Sequence, residues 1–138
     1  MSTPRPKSTL DGALAKVPTA YRSRIVRYYL ELKARHAEGK LDAAGVSGGK
    51  LCESTVRLLQ DQLGKTVTPF GQQITNLQAE CEAFAQLPKT TGIESLRLVI
   101  PRAVSFLYTL RNKRGIGHVG GDVDANAIDG AAMRAKAR

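Results

Sequence analysis

The chain has 138 residues, enough for one domain with a modest core, and 42% of them are apolar. Twenty-one lysines and arginines against twelve acids leave a formal charge of +9, which favours encounter with polyanions without naming one. No apolar run approaches the ~18 residues of a membrane span, the start has no signal-peptide core, and the two cysteines lack a C-x-x-C spacing. These features exclude a membrane partner and a disulfide scaffold, and they predict a cytoplasmic protein.

Residues 1–8 set Pro4 and Pro6 among charges with no periodic pattern, which predicts a disordered lead, with residues 9–138 as a single domain. A short helix is expected from Ser8, as cap, to Lys16 ahead of Pro18. "TAYRSRIVRYYLELKARHAEGK" reads most clearly as a helix: Tyr21, Ile25, Tyr28, Tyr29 and Leu32 fall on one face at the 3.6-residue period. Arg22, Arg24, Arg27, Lys33 and Arg35 lie mostly off that face, where a solvated surface is the expected role. Tyr28 and Tyr29 belong to the apolar stripe, so core or dimer packing is expected of them before base stacking. His36, beside Arg35, suits compensation of the helix dipole, and Gly39 suits a stop.

"LDAAGVSGGKLCESTVRLLQDQLGK" follows, with Asp42 as a plausible N-cap and Ala44, Gly48, Leu51, Cys52, Thr55, Leu59 and Leu63 at helical spacing. Its three early glycines each weaken a helix by roughly 1 kcal/mol, which predicts that another backbone approaches closely there. "AGVSGGKL" imitates a phosphate loop. Ala44 replaces the first glycine and Leu51 the magnesium-binding hydroxyl, and no strand precedes it. In "TVTPFGQQITNLQAECEAFAQLPK", Phe70, Ile74, Leu77, Cys81 and Phe84 make an even helical stripe with Pro69 near its start. Cys52 and Cys81 are expected to be buried reduced thiols. "TTGIESLRLVIPRAVSFLYTLRNKR" places Leu96, Ile100, Ala103, Leu107 and Leu110 on one face, with Pro101 kinking or dividing the run. A loop and a last helix from about Asn126, capped by Asp122 or Asp124, complete the pattern. The chain is therefore expected to be all-α, a small bundle of about five helices.

The chemistry concentrates at "RNKRGIGHVGGD". An apolar helix ends in Arg111, Asn112, Lys113 and Arg114; glycines follow, and His118 stands between them. The cations suit the negative end of the helix dipole, and capping carbonyls is their bland role. The sharper one is phosphodiester chemistry. RNA is cut without metal when its own 2′-hydroxyl attacks phosphorus, given a base, an acid and positive charge against the phosphorane. Histidine exchanges protons near neutral pH, and arginine offers a planar fork to phosphate oxygens. A metal site from His118, Asp122 and Asp124 fits no ligand motif, so no metal and no other cofactor is expected. Glu53 and Glu80 are too far apart in sequence to be read as a carboxylate pair.

"RNKRGIGH" resembles the R-x(4–6)-H signature of HEPN domains, in which a polar residue commonly follows the arginine, as Asn112 does here. Residues 101–129 are similar to C-terminal domains of abortive-infection proteins, and "GGKLCESTVRLLQ" more loosely resembles their preceding helix. The six-residue gap is the longest the signature takes, and "IDGAAMRAKAR" is poorer in apolar residues than the terminal helix of many members. The resemblance implies a HEPN-like helical bundle that dimerises, bringing two motifs into one cleft, and a metal-independent endoribonuclease of prokaryotic phage defence or a toxin–antitoxin pair. It implies that Arg111 holds phosphate, His118 transfers protons, and Asn112 assists as a third catalytic residue. Lys113 and Arg114 are additions that suit RNA binding. RNA, a second copy, and an antitoxin or larger defence protein are the implied partners. The alternative is a catalytically inactive HEPN module that binds nucleic acid or docks on a larger defence complex; a helical assembly subunit without nucleic-acid contact is a third reading.

Overall fold

The computed structural model describes residues 5–113, and over that span the chain is a bundle of five α-helices without a strand. Helices α1 (Pro6–Ala13), α2 (Thr19–Ala37) and α3 (Leu41–Gln62) follow one another closely. After a long irregular segment come α4 (Leu77–Ala85) and α5 (Ile100–Lys113), the latter preceded by a π-helical turn, Ser95–Val99. The last helix expected from about Asn126 lies outside the described residues.

Helix α1 begins at Pro6, inside the stretch expected to be a disordered lead, and Ser8 sits within it rather than capping it. Proline there is preorganised for the first helical position, where its missing N–H needs no partner. Helices α2 and α3 form an antiparallel hairpin across Glu38 and Gly39, and Gly39 takes the left-handed conformation (φ 75°) that closes it. Lys40, not Asp42, holds the N-cap position of α3, and Asp42 lies in its first turn where its charge suits the dipole.

Helix α3 is central, touched by α2, α4 and α5. Its Cys52, Val56 and Leu59, with Leu63 just beyond its end, are buried against Ile74, Leu77, Cys81, Phe84 and Val104. Complete burial of side chains such as Phe84 and Leu59 contributes roughly 1.5–3 kcal/mol each. Both cysteines are free and buried, as their apolar setting predicts.

Two further expectations fail for physical reasons. The even stripe from Phe70 to Phe84 does not make one helix. Residues 65–76 are irregular, and α4 starts only at Leu77, where Asn76 in the left-handed region (φ 50°) accepts a hydrogen bond from the Ala79 amide at 3.1 Å. Arg57 of α3 is the cause. Its guanidinium binds the carbonyls of Thr68 (3.0 Å), Pro69 (3.3 Å) and Gln72, acceptors that a helix there would need for itself. Gln60 adds a pair of bonds to Thr68, one through each amide atom. The second failure is on α5. Leu96 and Ile100 pack on the core as expected, but Ala103 and Leu107 are exposed, while Val104 is buried and Tyr108 packs on the core. The π turn inserts an extra residue ahead of Pro101, so the inward set shifts by one position.

Candidate nucleic-acid site at the end of helix α5

Arg111 occupies the last turn of α5 and leans across the seam onto α3. Its Nε donates to the Gly45 carbonyl at 2.9 Å, and its guanidinium carbon lies 5.8 Å from the centre of the Tyr108 ring. The sequence explains why an arginine fits there. Gly45 and Gly49 stand one turn apart on α3, both buried. A Cβ placed on Gly49 would lie 3.0 Å from both Cζ and Nε of Arg111, tighter than nearly all real contacts. Gly49 is therefore a clearance for a side chain, not for the second backbone that the glycine-rich stretch predicted. Gly48 faces α2 instead, with Leu32 in ordinary contact.

Cys52 follows on the same side of α3. Burial above all, with nearby Cys81 next, pushes its thiol up to about 11, while the charge of Arg111 pulls the other way. The guanidinium is thus felt inside the core, although Arg111 is only half-buried. This placement differs from the bland role of capping the helix that carries it: the Nε bond joins two helices and fixes the direction of the fork.

Of the other predicted site residues, Asn112 and Lys113 complete the backbone of α5, and their side chains lie outside the described part of the chain. Arg114 and His118 lie outside the described residues, as do Asp122 and Asp124. The remaining motif-like features resolve structurally. "AGVSGGKL" is continuous α3 helix, with no loop to cradle a phosphate. Glu53 faces Arg57 at 3.8 Å, and Glu80 pairs with Lys65 at 2.7 Å. His36 and Arg35 stand in the last turn of α2, where positive charge complements the dipole. No described helix is long and apolar enough to cross a membrane.

Sequence reasoning missed Gly45 and Gly49 as the floor under Arg111. Their i, i+4 spacing was the available signal; the identity of the incoming group was not. Against known proteins, no family model, no curated protein and no solved structure matches the chain.

Proposed function

We propose that this chain is a metal-independent endoribonuclease of the HEPN type, working as a dimer in prokaryotic defence or a toxin–antitoxin pair. The observation that carries the reading is Arg111, oriented by Gly45 across the α3–α5 seam at the entrance to "RNKRGIGH". A fork held from two helices loses little freedom on meeting a phosphate, which is what preorganised electrostatic catalysis requires.

In the reaction, Arg111 binds the non-bridging oxygens of the scissile phosphate and opposes the charge that builds on the phosphorane. His118 of one copy takes the proton from the ribose 2′-hydroxyl as its oxygen bonds phosphorus. The bond to the 5′ oxygen breaks, and His118 of the second copy donates the proton that this oxygen needs. The products are a 2′,3′-cyclic phosphate and a 5′-hydroxyl. Asn112 orients the phosphate; Lys113 and Arg114 hold its neighbours. The two proton transfers contribute roughly 10²–10⁴-fold.

The test is cleavage of single-stranded RNA in excess chelator, with His118→Ala as the comparison. Loss of cleavage in a variant whose circular dichroism and melting are unchanged supports the reading. Equal rates for the two proteins, or no cleavage by either, overturn it. Helix-to-helix anchoring also suits the second reading, a module that binds RNA without cutting, because a structural role for Arg111 demands no chemistry. Binding that weakens with salt and in Arg111→Ala, with no product formed, selects that module.

A further inference from the structure

On the other side of α3 lies an open cleft of about 460 Å³, bounded by α2 and the turn around Phe70. Arg24, Arg27 and Tyr28 reach it from one face of α2; Lys50, Glu53 and Arg57 reach it from one face of α3, all at helical spacing. We propose that this cleft binds single-stranded nucleic acid, with phosphates on Arg27 and Lys50 and a base stacked on Arg24. The choice of RNA as ligand rests on the function proposed above; the cleft's cationic and aromatic character does not.

The charges argue first. Arg57 is buried, bound to three carbonyls and faced by Glu53, so that pair is internally compensated. Elsewhere Arg35 and Lys40 meet Glu38, and Lys65 meets Glu80. Among the described residues Arg24, Arg27 and Lys50 have no carboxylate within 4.0 Å. Glu53 is the carboxylate in the cleft and it faces Arg57, which leaves three further positive charges in one concave place; that is costly to assemble, and a phosphodiester backbone relieves the repulsion.

Ring geometry then selects the ligand. The Arg24 guanidinium stacks on Phe70 at 3.6 Å from the ring centre, while its Nη1 donates to the Ala20 carbonyl. A planar group held on one face by an aromatic ring offers its other face to a base. Arg27 lies 4.7 Å from the Tyr28 ring and donates to that residue's hydroxyl at 2.8 Å; Lys50 stands 5.8 Å from the same ring. Tyr28, expected in core or dimer packing, is half-buried and its ring lies beside two cations. Phe70 is 40% exposed on a turn that Arg57 and Gln60 clamp, so its exposure is built in. A cleft of this size takes a nucleotide of a single strand.

The cleft is also placed to serve the end of α5. Arg111 lies over Gly45 and Gly49, and the cleft spans Lys50 to Arg57 on another face, so the two are offset by roughly 10 Å along α3 and by part of a turn around it. A strand that joins them must also pass around α3, about 10 Å across, which takes several nucleotides.

The experiment measures anisotropy of a fluorescein-labelled 2′-O-methyl oligouridylate, which has no 2′-hydroxyl and is not cut. The wild-type chain is compared with Arg27→Gln/Lys50→Gln and with Lys16→Gln/Lys89→Gln, which removes equal charge away from the cleft. The cleft pair is expected to weaken binding at least tenfold at low salt and to flatten the salt dependence by about 1.4 in slope, two phosphate contacts on a single strand. Phe70→Leu is expected to weaken binding with the slope unchanged. Equal losses in the two double variants, or no binding by wild type at low salt, overturn the proposal; the latter is also the result if the cleft takes an acidic protein. Melting curves of each variant confirm the fold. Cleft-dependent binding without chelator-resistant cleavage overturns the nuclease and leaves the cleft standing. Cleavage with unchanged binding and KM in the cleft pair does the reverse.

Discussion

On the α2 side of α3, Arg57 is buried at 5% exposure, with its guanidinium engaged by three main-chain carbonyls and Glu53. On the α5 side, Arg111 is half-buried, comes from a different helix, donates to the Gly45 carbonyl of α3 and lies where Gly49 has no side chain. The first arginine belongs to α3 and shapes a loop; the second is held by α3 and aimed. Saturating a buried cation with protein acceptors makes it structural. Clearing space beside a half-buried one sets the direction of its fork across the seam.

The largest expected effect breaks the structural member. Arg57→Ala strips Thr68, Pro69 and Gln72 of their shared donor and releases the turn that carries Phe70. Unsatisfied buried acceptors cost about 1–3 kcal/mol apiece in part-solvated settings, so a loss of about 3 kcal/mol is expected in urea unfolding. Arg57→Lys restores little, because an ammonium cannot reproduce a fork aimed at three carbonyls. A stability change within about 0.5 kcal/mol of wild type, the range of ordinary surface sites, would break the comparison.

Arg111→Ala is expected to do the opposite. It removes one hydrogen bond between helices, worth about 1 kcal/mol of stability. Its cost to chelator-resistant RNA cleavage is expected to be about 100-fold, the scale for a lost preorganised charge. Urea unfolding and single-turnover cleavage measured on the same preparation separate the two quantities.

How much of this was legible beforehand depends on where the information lies. Helices α2 and α3 follow from apolar periodicity and a glycine stop, and Cys52, Leu59, Leu77, Cys81 and Phe84 were all placed inward from spacing. The break between Phe70 and Leu77 was not legible, because it arises from Arg57 capturing carbonyls 11 to 15 residues ahead of it. The one-residue shift on α5 was hidden too, since a π turn changes the period that the pattern assumes. At the site, the arginine follows from its motif; the glycines beneath it signal a close approach, but not that the approaching group is a side chain. The cleft escaped because its cations lie on two helices whose pairing no local pattern reveals.

Gly49→Ala sharpens the comparison at smaller amplitude. Alanine is a better helix former by about 1 kcal/mol, which offsets the crowding of Arg111. The added methyl meets Nε and Cζ at 3.0 Å, so the fork must swing and its bond to Gly45 must lengthen. Stability within about 1 kcal/mol of wild type is expected, together with a loss of cleavage of roughly tenfold, part of the full charge effect. Unchanged cleavage would mean that the direction of Arg111 is of no consequence.

The smallest effect lies in the two thiols, of which Cys52 reports Arg111 from inside the core. Burial raises both Cys52 and Cys81 to about 11, but Arg111 acts only on Cys52; acidic neighbours Glu80 and Glu82 add to the rise at Cys81. A raised folded value means the native state holds its thiol proton more tightly than the unfolded chain does. That stability is fully present below the unfolded value near 9 and is lost as pH rises from there toward about 11. At pH 9 each thiol accounts for about 0.4 kcal/mol of the decline. Urea midpoints at pH 8, 9 and 10 are expected to show a shallower fall in Cys52→Ala and in Cys81→Ala than in wild type. In Arg111→Ala the Cys52 contribution extends to higher pH, because the charge that favoured its thiolate is gone, and the Cys81 contribution stays where it was. The same extension at both thiols would place the influence of Arg111 in the general charge of the chain instead of in its seat over Gly49.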